Sequence, residues 1–73
     1  MSIFQKKAYY VNTEAQKNGD HEVHVTGCAH APEPKHRHPL GDFENCAHAV
    51  TIAKVLYKKS NGCYYCCYPC HTS

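Results

Sequence analysis

The residues with the strongest chemical character are cysteines, and four of the six lie between positions 63 and 70. The stretch reads Gly62-Cys63-Tyr64-Tyr65-Cys66-Cys67-Tyr68-Pro69-Cys70-His71. Thiols this dense hold a metal, pair as disulfides or carry redox chemistry. Cys63-x-x-Cys66 is a short chelate, because two thiolates at this spacing can face one ion across a tight turn. Zinc requires about four sulfur or nitrogen donors in a tetrahedron. His24-x-x-x-Cys28 supplies a second pair upstream, since three intervening residues let a strand residue and the following turn converge. The expected metal ligands are therefore His24, Cys28, Cys63 and Cys66, around a structural Zn2+. Cys70, His71 and His21 compete for a place in the set, and Cys70 in place of His24 would give four cysteines. Cys67 follows Cys66 directly and is expected to point away from the same ion.

The competing chemistries leave weaker traces. An even cysteine count is compatible with a disulfide-stapled protein of an oxidising compartment. A redox dithiol normally sits at a helix N-terminus, where the dipole favours thiolate. Cys63 instead follows the C-terminal end of an expected helix. Cys46 opens that helix, but the expected role is a small buried apolar residue, costing about 1 kcal/mol when truncated to alanine. His48 is two positions away and does not face it. There is no phosphate loop, no serine nucleophile motif and no suggestive pair of carboxylates. The expected class is a non-enzymatic binding module, with thiol redox or thiol transfer as an alternative.

Size and composition point the same way. Seventy-three residues make one small domain, with few large aliphatic side chains and no tryptophan. Such a core is commonly reinforced by a metal or by disulfides. The net charge of +2 neither requires nor excludes an acidic partner. Six tyrosines and several lysines could form a stacking and phosphate-binding surface for nucleic acid, a minor reading beside tyrosines that cover a metal site. No apolar run has the ~20 residues of a membrane span, and the first residues lack a signal peptide's apolar run. The default expectation is a cytoplasmic monomer with reduced thiols and no identified partner.

Local patterns supply the elements that would position the ligands. Residues 1–5 are expected to be disordered. Residues 6–11 are β-prone and aromatic. Asn18-Gly19-Asp20 is a turn signal, and residues 21–26 alternate with His21, Val23 and Val25 on one face and Glu22, His24 and Thr26 on the other. These two runs predict an antiparallel hairpin. Residues 29–39 hold three prolines and read as a loop. Leu40-Gly41-Asp42-Phe43 has room for a short third strand. Asn45, or Asp42, is the expected N-cap of a helix of about four turns, with Cys46, Ala49, Val50, Ala53, Leu56 and Tyr57 on its apolar face. Ser60-Asn61-Gly62 is expected to stop it, with Asn61 or Gly62 in the left-handed cap. The predicted fold class is α+β: a hairpin, one helix and a cysteine-rich C-terminal knuckle.

Two resemblances follow from these residues. His24-x-x-x-Cys28, a short strand and helix, and Cys63-x-x-Cys66 together resemble the Ada-type metal-binding domain of DNA alkylation repair over residues 20–67. That likeness implies zinc held by His24, Cys28, Cys63 and Cys66, and does not imply methyl transfer. Cys67, Cys70 and His71 depart from its pattern. Over nearly its whole length the chain is also similar to a group of short bacterial hypothetical proteins sharing "YYVNT", "NGDHEVH", "LGDF" and the "GCYYC…CHTS" ending. This second likeness implies a fold unit and no activity.

Overall fold

The computed structural model describes residues 5–72, so the expected disorder of residues 1–4 lies outside the described residues. The chain runs β1 (Lys7–Asn12), β2 (His21–Val25), β3 (Arg37–Phe43), α1 (Cys46–Leu56) and β4 (Ser60–Gly62), with short 3-10 turns at Pro34–His36 and Tyr68–Cys70. The strands form one sheet in the order β3-β1-β2-β4. This is the α+β domain that the alternation and the turn signals predict.

The hairpin forms as expected. Tyr10 pairs with His24 and Val11 with Val23, and Gly19 takes φ +90° in the connection, a conformation costly for any residue with a Cβ. Alternation divides the sheet into two faces. Tyr9, Val11 and Val23 pack against Cys46, Ala49 and Ala53 of α1, with Cys67 in the same core. Tyr10 and His24 lie on the opposite face, where their rings stack at 5.6 Å.

Three local expectations are corrected. The proline-rich loop is shorter than 29–39, because β3 already begins at Arg37 and includes Pro39. Proline is admissible there because β3 is an edge strand, and the ladder gives way beside it. Tyr9 faces Gly41 while Tyr10 faces Pro39, which leaves Leu40 as the extra residue of a bulge. Gly41 has φ +118°, and that bend requires glycine.

The helix is also shorter than expected, with 11 residues, about three turns. Asn45, not Asp42, is its N-cap, its Oδ1 accepting from the N–H groups of Ala47 (3.0 Å) and His48 (3.4 Å). Its C-terminal end has no left-handed cap: Tyr57 is extended, at φ −135° and ψ 112°.

The third correction concerns Ser60-Asn61-Gly62, which is a strand and not a helix stop. It pairs in parallel with β2, Glu22 opposite Asn61 and Val23 opposite Gly62. All three residues are buried. Gly62 is there because nothing larger fits: a Cβ would lie 2.6 Å from the Cys67 carbonyl oxygen and 2.7 Å from the Cys70 Cβ.

Candidate metal centre

Parallel pairing of β2 with β4 has a direct consequence for the ligands. Both strands end at the same end of the sheet, and the turn after each delivers a cysteine. After β2 the chain turns through Gly27 at φ +94°, and the Cys28 N–H donates to the Val25 carbonyl at 3.1 Å. After β4, the Cys63 N–H donates to the Val23 carbonyl at 2.9 Å. The Cys67 N–H then donates to the Cys63 carbonyl at 2.9 Å, closing the tight turn that brings Cys66 back beside Cys63. His24 reaches the same place from within β2.

One ligand atom from each of His24, Cys28, Cys63 and Cys66 lies within 4.8 Å of all the others. Cys28 Sγ is 4.0 Å from Cys63 Sγ, and Cys66 Sγ is 3.8 Å from His24 Nδ1. Zinc–sulfur bonds of ~2.3 Å in a tetrahedron give edges of about 3.8 Å, so these separations suit one ion bridging all four. His24 and Cys63 are buried, and Cys28 and Cys66 are half-buried.

The surroundings prepare these groups. Burial, with the Arg37 and His30 charges adding to it, lowers the His24 pKa to about 4. The imidazole is thus neutral at neutral pH and offers a lone pair. Burial pushes the Cys66 thiol up, while the Val25 backbone N–H, donating to its sulfur at 3.4 Å, acts the other way. Such a donor stabilises a thiolate. The His24 ring is clamped by Tyr10, over which the Arg37 guanidinium lies at 5.1 Å. His24 Nε2 is buried with no hydrogen-bond partner, its nearest charged neighbour being Glu22 Oε1 at 3.6 Å.

The competing residues are held elsewhere. His21 Nδ1 donates to the Asn12 carbonyl at 2.9 Å, and its ring stacks on Tyr57 at 3.8 Å. His71 Nδ1 donates to the Gly62 carbonyl at 3.0 Å. A carbonyl can only accept, so both rings carry their proton at Nδ1. Cys70 is bonded to Cys46 in a disulfide. This corrects the expectation that Cys46 is merely a small apolar residue of the helix face. The bond joins the first turn of α1 to the 3-10 turn behind the knuckle. Cys67 is buried in the α1 core, although its sulfur is 3.9 Å from that of Cys66. Among the loop histidines, His30 stacks on Tyr65 at 3.7 Å and His36 lies 3.6 Å from Glu14.

Six thiols thus sort into one disulfide and four free cysteines. Among the described residues no helix is long and apolar enough to cross a membrane. No family model, curated protein or solved structure matches the chain.

Proposed function

We propose that this domain is a non-enzymatic, zinc-stabilised binding module whose ion is held by His24, Cys28, Cys63 and Cys66. The convergence of these four ligand atoms within 4.8 Å of one another supports the reading most strongly. A three-thiolate, one-imidazole set favours zinc over the hard cations, which prefer oxygen donors. Four protein ligands leave no open position for a substrate, so the role of the ion is structural. It would join the ends of two parallel strands in a domain with a thin core.

Exposed aromatic rings at the knuckle suit a binding role. Tyr64, Tyr65 and Tyr68 are all more than half exposed, and Tyr64 meets the other two edge to face. The Cys46–Cys70 disulfide favours a second reading, in which the protein works in an oxidising compartment. The two readings are compatible, because the disulfide and the four candidate ligands use different cysteines.

Chelation tests the proposal. Metal binding contributes folding free energy in small domains, so removing zinc without touching the disulfide should collapse the dispersion of the native amide NMR signals of residues 21–28 and 60–67. An amide spectrum identical before and after chelation contradicts it.

A further inference from the structure

We propose that Glu22 is a positioning residue of the metal centre, its carboxylate receiving the Nε2–H of His24 and so holding Nδ1 toward the ion. The inference rests on the metal-centre reading above. Glu22 and His24 are two apart on β2 and therefore share a face of the sheet. His24 Nδ1 is the nitrogen beside Cys66 Sγ, at 3.8 Å. Ligation through Nδ1 obliges the neutral ring to carry its proton on Nε2. That nitrogen is buried and has no hydrogen-bond partner, and a buried donor left unpaired is costly. Glu22 Oε1 stands 3.6 Å away, just beyond hydrogen-bond length, and a small side-chain rotation closes the gap.

The other neighbours of the ring do not serve. Tyr10 lies against its face, and a stacked ring accepts nothing from an in-plane N–H. Arg37 and His30 also act on His24 electrostatically, but arginine offers donors only, and no hydrogen bond joins His30 to Nε2. Glu22 is itself largely withdrawn from solvent, its side chain 18% exposed. That is an unusual place for a carboxylate with no task. Metal-bound histidines commonly donate their second N–H to a carboxylate, which orients the ring and raises its basicity.

The test uses the intact, disulfide-bonded chain and cobalt(II), whose visible bands report ligand geometry, with zinc affinity then measured by competition. Glu22→Ala should weaken metal binding roughly 10- to 100-fold and shift the cobalt bands. Glu22→Gln keeps an accepting oxygen in the same shape and should retain most of the affinity. Glu33→Ala removes the same charge from an exposed site beside Lys35 and should change nothing. Glu22→Ala indistinguishable from Glu33→Ala overturns the inference alone, as does Glu22→Gln falling as far as Glu22→Ala. An unmodified chain that takes up no cobalt or zinc overturns it together with the metal-centre reading.

Discussion

Removing the Cys46–Cys70 disulfide should cost far more than its two sulfur atoms suggest, while leaving the metal in place. The bond closes a loop with a sequence separation of 24. In the chain-entropy treatment such a loop restrains the unfolded state by about 3.5 kcal/mol. Domains have ~0.05–0.15 kcal/mol of stability per residue, so this is a large share of the total for 73 residues. At about 4–8 °C per kcal/mol for a domain of this size, Cys46→Ala/Cys70→Ala should lower Tm by roughly 14–28 °C. The tail would still be held by His71 on the Gly62 carbonyl and by Thr72 N–H on Asn61 Oδ1, so the four candidate ligands should stay together. Thermal unfolding by circular dichroism, paired with zinc analysis of the folded variant, checks both halves. A Tm within about 2 °C of the parent would refute the entropic reasoning. Loss of zinc with the disulfide would refute the independence of the two cross-links.

Other substitutions probe the ligand assignment and its support. His24→Ala should abolish stoichiometric zinc binding, whereas His21→Ala should keep it and lose the stack on Tyr57 and the hydrogen bond to the Asn12 carbonyl, as zinc titration of both variants would reveal. Cys67→Ala should retain one zinc per chain, since Cys67 packs in the α1 core; zinc lost from this variant would bring Cys67 into the ligand set. Gly62→Ala should destabilise by about 1–3 kcal/mol in denaturant titration, because the new methyl meets the Cys67 carbonyl and Cys70. It should also weaken zinc binding, since the segment it displaces carries Cys66.

Much of this architecture is written locally. Alternation over residues 21–26 marks β2, Asn18-Gly19 marks the turn before it, and Asn45 marks the helix start. The spacings His24-x-x-x-Cys28 and Cys63-x-x-Cys66 single out the four residues that the fold gathers. β4 was hidden because Ser60-Asn61-Gly62 has no β-propensity, and pairing with β2 alone makes it a strand. Pro39 concealed the start of β3, since only an edge position with a bulge accommodates it. The disulfide was hidden for a different reason. Cys46 falls on the apolar stripe of α1 and Cys70 lies beyond the knuckle, and nothing in their spacing shows that the tail returns to the helix start. The bond also runs against the reduced thiols that a cytoplasmic default implies.

X-ray absorption at the zinc edge reads out which atoms surround a bound ion. On protein purified without chelator, the account predicts one zinc per chain with three sulfur scatterers at ~2.3 Å and one nitrogen at ~2.0 Å. Four sulfurs would draw Cys67 or a cysteine of the disulfide into the site and displace His24. Protein that carries no zinc and acquires none on titration would contradict the metal centre itself.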